Sequence, residues 1–489
     1  MTNEPPTGLQ ANMLRSYQSY PVKDQNFFDG CLGKTNIFTK LLYGITFFHA
    51  VIQERKKFGP IGWNIPYGFN ESDYHISIQQ LQMYINEYDE IPFEAVTYLT
   101  GECNYGGRVT DDWDRRTLKT ILNIFCCPQV VENSDYLFCE ISTKYGLPFR
   151  IDYLGFIEQI EEIPIVSSPE VFGLHMNAGI TRDLQSTSQL FDSMLLVVES
   201  SGSTDDSDTV ENLLIGIASD ILSKLPNNFD VEMASTKYPV MYNESMNTVL
   251  VQEMERFNIL LSVIRKSLQD LIKAIRGAIV MTPELETMSL SLSVAKYPVF
   301  WSKFSYPSLK SLGGYITNFI ERLNFLQIWY ENGKPNNFWL SGLFFTQAFL
   351  TGAMQNFARR YTILIDQLCF DFEVQHSDRI NAAPEDGVYC YGLFVDGARW
   401  DRSNMVLEES FPKVLTDVLP LVWFIPMRKN KLEDKNRYVC PVYKTSERKG
   451  ILSTTGHSTN YVLPIFLDTN KNASHWVYRG VALLCQLND

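Results

Sequence analysis

The first stretch that suggests chemistry is Gly33-Lys34-Thr35, inside DGCLGKTN. A phosphate-cradling loop needs a glycine five residues ahead of this Gly-Lys-Thr, because backbone N–H groups must wrap the phosphates there. Phe28 holds that position and no strand pattern precedes it, so the stretch reads as an ordinary turn. Zinc would need Cys and His at ligand spacing. Cys126 and Cys127 are adjacent, and His49, His75, His175, His376, His457 and His475 share no such spacing. LSTTGHSTN (452–460) sets Ser453 and Ser458 beside His457, which raises nucleophilic catalysis. Sequence neighbours rarely form a catalytic pair and no G-x-S-x-G elbow is present, so a polar loop between strands is favoured over a hydrolase. Glu158, Glu161 and Glu162 fit an exposed helix face as well as they fit paired carboxylates. RKNKLEDKNR (428–437) is locally basic but lacks interleaved aromatics, which marks a solvated hairpin tip before a nucleic-acid site. These motifs assign no catalytic, nucleotide-binding or metal-ligating residue.

Composition narrows the class. The chain has 489 residues, with 31 Phe, 25 Tyr and 8 Trp, far too many aromatics for wholesale disorder. The length allows two or three domains, each with its own core. A formal charge of −14 repels polyanions, so neither nucleic acid nor an acidic filament is expected as a direct partner. Nine scattered cysteines, no C-x-x-C and an N-terminus without an apolar signal core point to a reducing cytosolic compartment. The N-x-S sequons at Asn70, Asn243 and Asn472 then read as chance matches. FWLSGLFFTQAFLTGAM (338–354) is apolar enough to raise a membrane span, yet Ser341, Thr346, Gln347 and Thr351 interrupt it. Those groups would be costly in lipid, so a buried core helix and no membrane partner are expected.

The elements that would position any site fall into two regimes. Residues 1–20 end in a short helical pattern of Leu9, Met13, Leu14 and Tyr17 that looks like the tail of a larger unit. Amphipathic helices follow at 36–55 (Ile37, Leu41, Ile45, Phe48, Ile52), near 75–88, and after Thr110-Asp111. The acidic run ESSGSTDDSDTVE (199–211) reads as a solvated loop. The longest helix is expected over 243–276, with Gly277 after it. Leu250, Met254, Phe257, Leu261, Ile264, Leu268, Leu271 and Ile275 give it an a/d seam. That seam suits a self-pairing coiled coil or intramolecular packing. Ile259, Leu260, Val263 and Ile272 widen the stripe and favour the second, with a helix at 309–330 as partner. Beyond residue 370, six β-rich runs (370–374, 388–395, 421–425, 438–443, 461–467 and 476–487) suggest a small barrel or curled sheet.

Several long strings resemble one family. TNEPPTGLQANMLRSY (2–17), FGPIGWNIPYGFNESDYHIS (58–77), GECNYGGRVTDDWDRR (101–116) and VMYNESMNTVLVQEMERFNILL (240–261) look like dynein heavy chains. So do FWLSGLFFTQAFLTGAMQNFARRYTI (338–363), DGVYCYGLFVDGARWDR (386–402) and CPVYKTSERKGILSTTGHSTNYV (440–462). The last two strings, with RGVALLCQL (479–487), look axonemal rather than cytoplasmic, and the resemblance runs from residue 2 to Asp489. Met176, Gly68 and Tyr297-Pro298 depart from the family pattern and put local contacts in doubt.

The resemblance implies an α+β multidomain protein. Residues 1–17 would end the large subdomain of the sixth AAA+ module, and 18–131 would form its helical lid. Residues 132–369 would be the helical half of a C-terminal domain, with the long helix near 243–276. Residues 370–489 would form a terminal antiparallel β-barrel of about six strands. Arg108, Asp111, Asp112, Asp114, Arg115 and Arg116 are the candidate inter-subdomain contacts, with a solvated helix start as the alternative. The function implied is that of a C-terminal segment of a minus-end-directed, ATP-driven axonemal motor, closing and regulating the ring without its own ATPase or microtubule site. ATP and Mg would bind upstream modules, with no cofactor in this segment. Expected partners are the rest of the ring, the intermediate, light intermediate and light chains, and the microtubule only indirectly. The expected location is cytoplasm, cytoskeleton and the cilium or flagellum axoneme. The alternative is a short stand-alone isoform that docks on axonemal dynein complexes.

Overall fold

The computed structural model describes residues 6–200, 207–433, 435–450 and 459–488. Helix Thr35–Glu54 is apolar nearly all round, and from Phe38 to Ile52 every residue is buried. Such a helix must be surrounded. Leu9–Gln18, Glu71–Glu87, Asp112–Phe125 and Pro128–Glu132 pack on it, and Tyr153–Glu161 closes on Leu9–Gln18. Asn70 and Asp73 form a reciprocal capping box that starts Glu71–Glu87. Gly44 lets Thr35–Glu54 approach the Phe125 carbonyl more closely than any side chain would allow. The resulting core runs from Leu9 to Ala178, and Leu9, Met13 and Tyr17 belong to it.

A second core begins at Leu214 and ends at Cys485. Its axis is helix Ser245–Ile275, about 46 Å long at 1.5 Å per residue. The seven seam residues from Leu250 to Leu271 are at most 1% exposed. They are covered by Ser207–Lys224, Val231–Lys237, Pro283–Ser293, Leu312–Asn332 and Thr346–Tyr361. The seam is therefore spent on intramolecular packing, and a self-pairing coiled coil has no face left to use. Glu253 is fully buried beside the seam, where its carboxylate accepts N–H bonds from Phe344 and Phe345. Burial pushes its carboxyl above the usual range.

The strands correct the barrel expectation. The described residues hold eleven: β1 Asn337–Trp339, β2 Leu368–Val374, β3 Val388–Tyr391, β4 Leu393–Asp396, β5 Arg399–Asp401, β6 Val406–Glu408, β7 Thr416–Leu419, β8 Val422–Arg428, β9 Arg437–Tyr443, β10 Tyr461–Asp468 and β11 Ala482–Leu484. They form open sheets of order β1-β3-β8-β2 and β10-β9-β11-β4-β7, with β5 and β6 as a separate pair. β1–β3 and β9–β11 are parallel, so the arrangement is mixed, and neither large sheet closes edge to edge. Two glycines explain the split. Gly392 (φ +86°) bends the apolar run 388–395, sending β3 into one sheet and β4 into the other. Gly480 (φ +70°) ends a helix, Ala473–Arg479, inside the run read as one strand, leaving only β11 beyond it.

Other expectations shift too. The apolar stretch 338–354 is not one helix: it supplies most of β1, a short 3-10 turn, and the first half of Thr346–Tyr361. No helix among the described residues is long and apolar enough to cross a membrane. Helices Ala178–Ser200 and Ser207–Lys224 extend into the acidic run from both ends, and its residues 201–206 lie outside the described residues. The Ser453–His457–Ser458 group also lies outside them. Lys34, of the rejected phosphate loop, donates to the Ile85 and Tyr88 carbonyls, where a helix C-terminus favours a cation.

Candidate functional site: the seam between bundle and sheet

Asp111 starts helix Asp112–Phe125 as its N-cap, accepting from the N–H groups of Trp113 and Asp114 at 3.0 Å. The same oxygen takes a third bond from Asn64 Nδ2 at 3.2 Å. Asn64 Nδ2 also donates to the Tyr443 hydroxyl at 2.8 Å, so a capping residue of the bundle is tied to β9 through one amide. Asp114 is buried one turn on. Its two oxygens accept the backbone N–H groups of Asn64 and Ile65, at 3.0 and 3.1 Å.

Arg116, two residues further on, is half-buried. It donates to the Val439 carbonyl at 2.8 Å and the Tyr438 hydroxyl at 3.2 Å, and its guanidinium covers the Trp113 and Tyr438 rings. Trp113 packs on a small cluster of Tyr443, Ala482 and Leu484 from the five-stranded sheet. Below it, Arg55 ends helix Thr35–Glu54 with no exposed surface. Its donors reach the carbonyls of Gly62, Phe172 and Tyr478. Burial lowers its guanidinium to about 10. At the far end, Asn177 donates to the Phe411 and Val414 carbonyls and accepts from Lys413 N–H, each at 2.8 Å. Arg479 returns the contact, donating to Leu174 O at 2.7 Å.

Backbone approach seals the seam. A Cβ at Gly480 would overlap the Ile61 carbonyl oxygen, and one at Gly173 (φ +77°) would strike the Tyr478 ring. Both sides thus place glycine where the other side touches.

The six residues singled out from sequence divide by position. Arg116 reaches the sheet directly, Asp111 reaches it through Asn64, and Asp114 fixes the loop that carries Asn64. Arg108 pairs with Asp73 at 2.6 Å, and Arg115 bonds the Val109 carbonyl and Glu102, all inside the bundle. Asp112 is exposed in the first helical turn. Arg55, Asn64, Asn177 and Arg479 were missed. Only Arg55 left a signal: it falls seven residues after Phe48 and three after Ile52, on the buried stripe.

Asp114 makes the seam pH-sensitive. Burial pushes its carboxyl up to about 7, the neighbouring Asp111 charge adds to this, and the Asn64, Ile65 and Tyr67 donors partly offset it. A carboxyl raised in the folded state stabilises below its ordinary value near 4, and that stability is lost as pH rises through 7. Between pH 5 and 8 the unsubstituted protein should therefore lose stability relative to Asp114→Asn, on the order of 2 kcal/mol by linkage. Urea unfolding of both across that range measures it. Parallel curves would show that Asp114 does not titrate there.

The fold and the seam define a two-part protein, a helical bundle fixed to a helix-and-sheet domain by buried polar and glycine contacts. Residues 38–178 match the AAA lid domain of the dynein heavy chain, and residues 184–485 match the C-terminal domain of the dynein heavy chain. The protein belongs to the family defined by that C-terminal domain. It is 60% identical over 489 residues to dynein axonemal heavy chain 12 of Homo sapiens, covering all of its own length and 16% of that relative. It is 53% identical to dynein axonemal heavy chain 3 of Mus musculus and 46% identical to dynein axonemal heavy chain 1 of Rattus norvegicus, covering 12% and 11% of them. It corresponds to the C-terminal region of these heavy chains and spans about a sixth or less of their length.

Proposed function

We propose that this protein works as the ring-closing segment of an axonemal dynein heavy chain, within a minus-end-directed, ATP-driven microtubule motor of cilia and flagella. The observation that carries this reading is the seam. A bundle whose caps, buried arginine and glycines are shared with a sheet domain moves with that domain as one body, which is what mechanical coupling requires. Arg116 serves as a contact between the two parts, Asp111 and Asp114 position Asn64 for its contact with Tyr443, and Arg108 and Arg115 hold the bundle in shape. The segment has no ATPase or microtubule site of its own. ATP and Mg act at other modules of the ring, and the intermediate, light intermediate and light chains join through the full complex in the axoneme.

The test uses both the 489-residue segment and a heavy chain that includes it. The purified segment should neither bind nor turn over Mg-ATP. Arg116→Ala in the heavy chain should slow microtubule gliding about twofold or more, as loss of a positioned contact costing roughly 1–3 kcal/mol would do. Saturable ATP turnover by the segment, or unchanged gliding by the variant, contradicts the reading.

A further inference from the structure

The seam holds a half-open recess of about 20 Å³ lined by Arg55, Asn64, Trp113, Asp114, Arg116 and Tyr438 among others. A monatomic guest fits, since about 10–15 Å³ is enough for one water. Three N–H donors on residues lining this cavity are buried and meet no acceptor among the described residues: Arg55 Nη2, Trp113 Nε1 and Arg116 Nε. A buried donor without an acceptor is costly, and more so when it carries charge.

Charge and donor count decide what the guest is. Arg55 gives its other N–H groups to carbonyls, and Arg116 gives its own to a carbonyl and a hydroxyl, so among the described residues neither guanidinium is hydrogen-bonded to a carboxylate, while the nearby Asp114 acts on Arg55 only through space. Asp114, also on the wall, accepts one N–H at each oxygen, from Asn64 and Ile65, and burial drives it toward the neutral form. Arg448 lines the same space and pairs with Asp396 at 2.7 Å. Tyr438 turns its proton to the Val481 carbonyl. A water offers only two lone pairs for three donors and no charge to set against the two guanidiniums. An anion brings no proton and accepts from all three.

We propose that this cavity binds one monovalent anion of halide size, chloride in the cell, held by Arg55, Trp113 and Arg116 between the bundle and the sheet. The anion completes the seam and makes its strength depend on chloride.

Thermal unfolding of the protein in sodium chloride, with sodium gluconate holding ionic strength constant, reads this directly. The midpoint should rise by about 1–2 °C as chloride goes from about 10 to about 300 mM, through linkage to the folded state alone. Trp113→Phe keeps the ring's packing but removes one donor, and should at least halve that rise. Crystals soaked in sodium bromide should show an anomalous peak between Arg55 and Arg116. The proposal is overturned if gluconate and chloride give the same midpoint, or if Trp113→Phe leaves the halide response intact. A solvent peak in the cavity without bromide signal overturns it as well.

Discussion

Arg55→Ala is expected to destabilise the protein by about 3–5 kcal/mol, the range for stripping a buried charged donor from several acceptors. The side chain is fully buried, lies over the Trp63 and Tyr478 rings, and serves the Gly62, Phe172 and Tyr478 carbonyls. Those three carbonyls come from two loops of the bundle and from the helix before β11, so one truncation unpairs all of them. Relief of the cation's own desolvation offsets part of the loss. Arg55→Lys keeps the charge but replaces a planar fork with a point donor, and should recover less than half of the loss. Arg150→Ala is the control. Arg150 is half exposed and pairs with the equally exposed Asp152, so its removal should leave the urea midpoint essentially unchanged. Urea midpoints of the three variants separate these outcomes, and an Arg55→Ala cost under about 1 kcal/mol would mean that Arg55 does not hold the seam.

Gly480→Ala should cost about 2–4 kcal/mol, for two reasons that add. The residue holds φ +70° and ψ 29° at the end of helix Ala473–Arg479, where a side chain is strained by roughly 1 kcal/mol. Its Cβ would also overlap a backbone oxygen, that of Ile61, which no rotamer change can relieve. The bundle must back away from the sheet. Gly216→Ala, in open space within helix Ser207–Lys224, should instead be neutral or stabilising by up to about 1 kcal/mol. Equal effects at the two glycines would mean that close approach at the seam does not matter.

Particular residues show how far the sequence could be read. Helix Thr35–Glu54 was legible because its apolar positions recur on a helical period, and Asp111 because an acidic cap before such a period has a local cause. Arg55 was visible but unreadable, since a guanidinium continuing an apolar stripe looks like the solvated end of a helix. Two of its three acceptors lie 117 and 423 residues away. Asn64 has the same problem: its two partners lie 47 and 379 residues off. The barrel failed for a different reason. Alternation predicts strands but not their neighbours, and β1, drawn from a run that reads as helix, enters the four-stranded sheet beside β3. Gly392 and Gly480 were visible as residues, but their left-handed conformations, which divide the sheets, were not.

If bundle and sheet domain form one cooperative body through the seam, they must melt together. Calorimetry of the unsubstituted protein beside Gly480→Ala measures this without intermediaries. A single transition is expected for the unsubstituted protein, with calorimetric and van't Hoff enthalpies equal, and two resolved transitions once Gly480 is replaced. Two independent transitions in the unsubstituted protein, unchanged by the substitution, would show that the seam does not couple the two parts.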